Sequence, residues 1–76
     1  MKIKEGQIYK HFKGELVKII CIAKNSETEE PMVIYNHLST GEIWARPLDM
    51  FISLVDTSKY PEANQKYRFE LVKNDK

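Results

Sequence analysis

Cysteine is nearly absent from this sequence of 76 residues, which has a single one at position 21. A lone cysteine excludes an internal disulfide and any zinc site built from several cysteines. Its neighbours in the run LVKIICIAK are apolar, which favours a small buried hydrophobic side chain over a reactive thiolate. No run approaches the roughly 20 apolar residues of a membrane span, and the N-terminus lacks the apolar core of a signal peptide. We therefore expect a cytoplasmic protein that does not contact a membrane.

Glycine and proline are also scarce, with three of each, and no Gly-rich loop is present that could cradle a phosphate. The composition is otherwise that of an ordered globular protein. A chain of this length buries only roughly 60% of the surface that its unfolded form exposes. We expect one domain over residues 1–76, ordered from about 5 to 72 with a frayed C-terminal tail. A ligand would bind in a surface groove.

Neither sign of charge dominates, because the formal net charge is only +1. Residues 1–24 carry a net +4, residues 25–56 a net −5 and residues 57–76 a net +2. Such a chain lacks the broad positive field that drives non-specific binding of nucleic acid. A local basic stripe would form only if the two terminal segments pair in space. The competing interpretation is that these lysines are solvated on strand faces.

What the sequence does contain is a series of short runs with the period-2 alternation of β-strands. Lys13-Gly14 and Thr40-Gly41 are typical of tight turns between them. The second run is apolar on both faces, which predicts a central strand or one covered on both sides. In the last run, Tyr67, Phe69 and Leu71 are predicted to face inward. The predicted strands are 7–12, 15–23, 32–39, 42–46 and 66–72.

The segment RPLDMF (46–51) breaks this alternation and predicts one short helical turn after Pro47. Leu48, Met50 and Phe51 would then close one end of the core. The predicted fold is mainly β, either a small SH3-like barrel or a strongly bent antiparallel sheet of about five strands. The alternative is an α+β arrangement in which residues 47–56 form a longer helix.

Three motifs follow one another along most of the chain, namely GxxYxHxKG (6–14), SETxExMVxY (26–35) and WxRPxxMF (44–51). Together with Arg68-Phe69 they resemble a family of short bacterial proteins of unknown function. The resemblance covers roughly residues 5–70. The family pattern has a histidine where this chain has Asn25. The resemblance implies a fold and a site, and it implies no established activity.

Catalytic and metal-binding chemistry find little support in the residues. His11 and His37 are the only histidines, and a zinc site would need both of them together with a carboxylate. Ser26 and Cys21 lack the neighbours that activate a nucleophile. We predict no metal, no cofactor and no catalytic residue. The acidic turn NSETEE has a purely structural alternative, in which Asn25 or Ser26 bonds the turn backbone and Glu29 completes a capping box.

The strand phases place aromatic and charged side chains on what we predict to be one face of the sheet. Trp44 and Tyr35 would stack on a ligand, and Arg46 would contact an anion or a carbonyl. His11, Ser26 and Thr28 would donate or accept hydrogen bonds, while Glu27 and Glu30 would form an acidic lip that orients Arg46. The predicted ligand-binding residues are Tyr9, His11, Ser26, Glu27, Thr28, Glu30, Tyr35, Trp44 and Arg46.

The competing interpretation is that Tyr35 and Trp44 belong to the core and that Arg46 forms an ion pair with Glu27 or Glu30. The sequence predicts a non-catalytic β module that binds a small molecule, a nucleotide-like group or a peptide segment. The alternatives are a nucleic-acid-associated accessory domain and, less favoured, a small hydrolase or transferase. The expected partner is a small ligand or another protein, and the chain would be a monomer or an edge-strand dimer.

Overall fold

The computed structural model describes residues 3–73, which form five strands and one short helix. All five strands lie in one antiparallel sheet with the order β4-β3-β2-β1-β5. This confirms the predicted mainly β fold. The helix begins directly after Pro47, as predicted, and the longer helix over 47–56 is wrong. The elements are β1 (Ile8–His11), β2 (Leu16–Lys24), β3 (Pro31–His37), β4 (Ile43–Pro47), α1 (Leu48–Phe51) and β5 (Phe69–Lys73).

The sheet is strongly bent, and β4 and β5 are its two edges. Strands β3 and β5 are three positions apart, so rings standing on a flat sheet would be about 14 Å from each other. The ring centres of Tyr35 and Phe69 are only 5.7 Å apart. Register shifts between Ile8 and Tyr9 and between Ile19 and Cys21 favour this curvature. The bent sheet is therefore observed, and its likeness to an SH3 barrel stays a prediction.

The core lies on the concave face, and the alternation of the strands explains which residues reach it. Val17 and Ile19 share one face of β2, Val33 and Tyr35 share one face of β3, and all four are buried. From α1, Phe51 stacks on Phe69, with ring centres 4.0 Å apart and an angle of 5° between the rings. The cluster consists of Tyr9, Val17, Ile19, Val33, Tyr35, Phe51 and Phe69.

The convex face of β2 is apolar and exposed. This strand is central, as predicted, but Leu16, Ile20 and Ile22 are exposed. Within residues 3–73 all the strands belong to one sheet, so no second sheet covers this face. An apolar run on both faces therefore does not require two covered faces here.

Two inward predictions near the end of the chain are also wrong. Leu71 is exposed because β5 is an edge strand that pairs only with β1. Tyr67 is exposed and precedes β5, forming only an isolated bridge with Leu54. Met50 of α1 is exposed as well, while Phe51 occupies the core.

One predicted turn and part of the C-terminal tail can be compared with the structure. Gly14 has φ +104°, the left-handed conformation that the predicted turn requires. Lys73 is the last residue of β5, whereas the rest of the predicted frayed tail, 74–76, lies outside the described residues, as do residues 1 and 2. No helix in the described range has the length and apolar character needed to cross a membrane.

Candidate functional site

A groove of about 410 Å³ opens on the concave side of the sheet. It lies where β1 and β3 end and where β2, β4 and β5 begin, so the antiparallel pairing brings their terminal residues together. Small-ligand sites in proteins commonly have volumes of roughly 300–1,000 Å³. We call this feature the aromatic groove because five aromatic side chains line it: Phe12, Tyr35, Trp44, Tyr60 and Phe69.

The aromatic side chains form a buried floor and an exposed wall. Tyr35 is buried, and its ring stacks on that of His37 at 6.0 Å between centres. The ring of His37 in turn lies 5.8 Å from that of Trp44, which is 49% exposed. Trp44 therefore offers a ring surface to which a flat ligand group can stack.

Arg46 is held in place by two contacts with this floor. Its Nε donates a hydrogen bond to the hydroxyl oxygen of Tyr35 at 3.4 Å. Its guanidinium carbon lies 5.6 Å from the ring centre of Phe69, which is a cation–π distance. Both contacts restrict the guanidinium before any ligand binds.

Arg68 is also held through its Nε atom. Its Nε donates to the hydroxyl oxygen of Ser53 at 3.1 Å, and its backbone N–H donates to the carbonyl of Ser53 at 2.8 Å. Lys13 adds a third cation to the lining, with its Nζ 5.0 Å from the ring centre of Tyr60.

The two arginines keep their terminal amino groups available. Neither guanidinium uses a terminal Nη atom for a hydrogen bond or ion pair with any residue of the described range. In that range no buried side-chain nitrogen or oxygen lacks a hydrogen-bond partner, so these Nη atoms reach solvent. A guanidinium anchored through Nε can still bind an anion with both Nη atoms.

The positive charges of the groove act on His11. The pKa of His11 is lowered from 6.5 to about 4, chiefly because burial penalises the charged ring and next because of Arg46. Glu15 acts in the opposite direction, and Arg68 and Lys13 add to the lowering. The Nδ1 of His11 accepts a hydrogen bond from the backbone N–H of Lys13 at 3.1 Å. The neutral ring therefore carries its proton on Nε2.

The single carboxylate of the lining is that of Glu15, which lies near the second histidine. Its Oε1 lies 3.8 Å from Nδ1 of His37. With the histidines counted as neutral, the three cations and this one carboxylate leave the groove with a formal charge of +2. The groove is thus aromatic and positive.

Comparison with known protein families identifies the family of this chain. The family model described as "Protein of unknown function (DUF1653)" matches residues 7–71, which is most of the sequence. The chain belongs to the DUF1653 family. A search of the curated proteins found no match. The same is true of the solved structures.

Four of the nine ligand-binding residues predicted from the sequence line the aromatic groove of this DUF1653 chain. They are His11, Tyr35, Trp44 and Arg46. Tyr9 lies in the core instead, with only 1% of its surface exposed, and its hydroxyl donates to Oε1 of Gln7 at 3.1 Å. Burial raises its pKa. Of the two aromatics that the competing interpretation placed in the core, Tyr35 is buried and Trp44 is not.

The other four predicted residues, Ser26, Glu27, Thr28 and Glu30, lie in the β2–β3 turn and do not line the groove. The side chain of Asn25 organises this turn. Its Oδ1 accepts hydrogen bonds from the backbone N–H groups of Glu27 at 2.8 Å and Thr28 at 3.2 Å. This is the Asn25 part of the structural alternative that the sequence left open, whereas the capping box of Ser26 and Glu29 is not among the hydrogen bonds of the described residues.

The predicted ion pair between Arg46 and the acidic turn is absent from the residues that the structure describes. Arg46 contacts Tyr35 and Phe69 instead. The turn connects Lys24 to Pro31, at the opposite end of the β2–β3 pair from Val17 and His37. The predicted acidic lip is therefore not part of the groove.

Sequence reasoning missed several groove residues of this DUF1653 chain, most notably Arg68, Glu15 and Lys13. A strand over 66–72 with Tyr67, Phe69 and Leu71 facing inward puts Arg68 on the outward face, whereas β5 begins only at Phe69 and Arg68 precedes it. Glu15 and Lys13 belong to the β1–β2 turn. The pairing of Val17 with His37 brings this turn next to the end of β3, and local alternation does not reveal that pairing.

The two histidines meet in the same groove, together with Glu15. A zinc site would need such a grouping of two histidines and a carboxylate. In the described range, however, no group of three His, Cys, Asp or Glu side chains is arranged to hold a metal ion. The Nδ1 of His11 is already engaged by the backbone of Lys13.

Proposed function

We propose that this DUF1653 chain is a non-catalytic binding module whose aromatic groove takes a small anion that carries a flat ring. The observation that supports this most strongly is the pair of anchored arginines. Each guanidinium is fixed through Nε and keeps its Nη atoms for a ligand. Fixed donors lose little conformational entropy on binding, so the site is preorganised for an anion.

The roles of the lining residues follow from their positions. Arg46 and Arg68 bind the anionic group, and Lys13 adds to the positive potential. The exposed face of Trp44 stacks on the ring of the ligand. His11 is neutral at physiological pH and contributes a hydrogen bond rather than a charge.

The fluorescence of Trp44, the single tryptophan of the chain, provides the test. The probes are phenyl phosphate and benzoate as planar anions and benzamide as an uncharged planar control. We expect both anions to change the emission saturably and benzamide to bind much more weakly. The variant Arg46→Gln should weaken anion binding about tenfold or more, because a hydrogen bond to a charged group contributes roughly 1.5–3 kcal/mol.

Lys18→Gln is the matched control variant. Lys18 is exposed and lies outside the groove lining, and its replacement by Gln removes the same unit of charge as Arg46→Gln does. Its affinity for both anions should stay within about twofold of the parent, because an exposed charge outside the site is screened by salt. Equal losses in Arg46→Gln and Lys18→Gln, or no saturable change with either anion, would overturn the proposal.

The nucleic-acid alternative is supported by one observation. β1 pairs with β5, so the two basic terminal segments do meet in space. Lys10, however, stands opposite Glu70 in that ladder, which reduces the positive charge of the stripe. Binding of a short single-stranded RNA would weaken steeply as salt rises. A small anion neutralises few charges, so its affinity should fall only slightly over the same range.

A further inference from the structure

We propose that the aromatic groove selects phosphate monoesters of ring-bearing molecules, a class that includes nucleoside monophosphates, over the corresponding carboxylates. This inference rests on the proposed function and names its ligand class. It is carried by the charge of the lining and by the number of donors that two anchored arginines present together.

The charge of the lining favours a phosphate monoester. Lys13, Arg46 and Arg68 outnumber the one carboxylate of the lining, and the formal sum is +2 with neutral histidines. A phosphate monoester carries about −1.5 to −2 charges at neutral pH, whereas a carboxylate carries one. A dianion neutralises the lining, and a monoanion leaves it positive. Phosphate therefore gains more from this groove than carboxylate does.

The number of available hydrogen-bond donors also favours phosphate. The two guanidiniums each offer a pair of Nη atoms that no residue of the described range occupies. A phosphate monoester presents three terminal oxygens, enough for both guanidiniums to bind it through paired hydrogen bonds. A carboxylate presents only two oxygens, which both guanidiniums would have to share. Phosphate can therefore form more hydrogen bonds with the second arginine than a carboxylate can.

The other side chains of the lining determine how well a ring-bearing phosphate fits beside the arginines. Trp44 is exposed at the groove wall, where it can stack on a ring attached to the phosphate. His11 carries its proton on Nε2, because its Nδ1 accepts from the Lys13 backbone. The neutral ring can therefore donate a hydrogen bond to the ligand from Nε2. Glu15 is the one group of the lining that repels the phosphate.

The test compares phenyl phosphate with benzoate by isothermal titration calorimetry on the full chain. The two probes share a ring and differ in the anionic group. Near neutral pH we expect phenyl phosphate to bind about tenfold more tightly, because it adds charge-assisted hydrogen bonds. Glu15→Gln should widen this preference, since it removes the repulsive carboxylate. Arg68→Lys should narrow it, and Lys18→Gln should leave it unchanged.

The preference should also depend on pH in a defined direction. The second pKa of a phosphate monoester is about 6, so at about pH 5 phenyl phosphate is mainly a monoanion. Benzoate stays largely ionised there, because carboxyl groups titrate near roughly 4. The titratable groups that face the ligand are His11, His37 and Glu15, and a change in any of them acts on both probes. The ratio of the two affinities should therefore fall towards one at the lower pH.

The outcomes distinguish this inference from the proposed function. A preference for phenyl phosphate that decreases at low pH and increases in Glu15→Gln supports the inference. Equal binding of phenyl phosphate and benzoate overturns it and leaves the proposed function standing. Failure of both probes to bind overturns both. A preference for phosphate that Glu15→Gln does not change also overturns the inference, because the phosphate would then bind away from the groove.

Discussion

At the scale of single residues, Arg46 shows how one side chain can serve the fold and the site together. Its Nε contacts Tyr35 and its guanidinium covers Phe69, two members of the core cluster. Its charge is also the second-largest cause of the lowered pKa of His11. One substitution should therefore change both ligand binding and the titration of a neighbouring ring.

We predict that Arg46→Gln raises the pKa of His11 above about 4. The value should stay below 6.5, because burial is the larger cause and remains in the variant. Lys18→Gln should leave the titration of His11 unchanged, since Lys18 is not among the charges that act on it. The measurement is the pH dependence of the His11 ring signals by NMR.

The same pKa makes a prediction about stability. Because the folded pKa of His11 lies below its unfolded value, the unfolded chain binds the proton first as the pH falls. The contribution of neutral His11 is complete above pH 6.5 and is lost as the pH falls through about 4. The difference in unfolding free energy between the parent and His11→Gln should shrink over this window. A difference that stays constant with pH would contradict the assignment.

At the scale of elements, the β2–β3 turn is a local structure that Asn25 stabilises. Besides its two side-chain hydrogen bonds, its carbonyl accepts from the N–H of Glu29 at 2.7 Å, and its N–H donates to Glu30 at 2.8 Å. Glu29 takes a positive φ of 65° to close the turn. The acidic side chains are exposed and solvated. Local hydrogen bonding therefore explains this segment.

We predict that Asn25→Ala lowers the free energy of unfolding by about 1 kcal/mol, because two backbone donors lose their acceptor. Ser26→Ala is the control, since the Ser26 side chain makes no hydrogen bond in the described part of the chain. It should change stability by less than about 0.5 kcal/mol. Urea unfolding measures both. Neither variant should alter anion binding, and a loss of affinity in Asn25→Ala would return the turn to the site.

At the scale of the whole molecule, local patterns predicted the strands but not which face of β2 and β3 is buried. Alternation is a property of neighbouring residues, so it grouped Val17 with Ile19 and Val33 with Tyr35, and the bend of the sheet buries these two groups. The same reasoning put Leu71 inside, because alternation does not reveal which strand lies at an edge.

The groove could be predicted only in part, because it depends on contacts between distant segments. His11, Tyr35, Trp44 and Arg46 share a phase on their strands and were grouped correctly as neighbours. Arg68 reaches them only because the sheet bends and β5 returns beside β1. The sequence also has a net −5 over residues 25–56, yet the groove is positive. Segment charge therefore did not predict the charge of the site.

The most direct test of the central claim is a two-dimensional amide NMR titration of the full chain with phenyl phosphate. We expect saturable shifts at residues of the aromatic groove, including His11, Trp44 and Phe69, with little change in the Asn25–Glu30 turn. Shifts centred on that turn would contradict the claim. So would shifts spread over the lysines of β1 and β5 that fade as salt is raised.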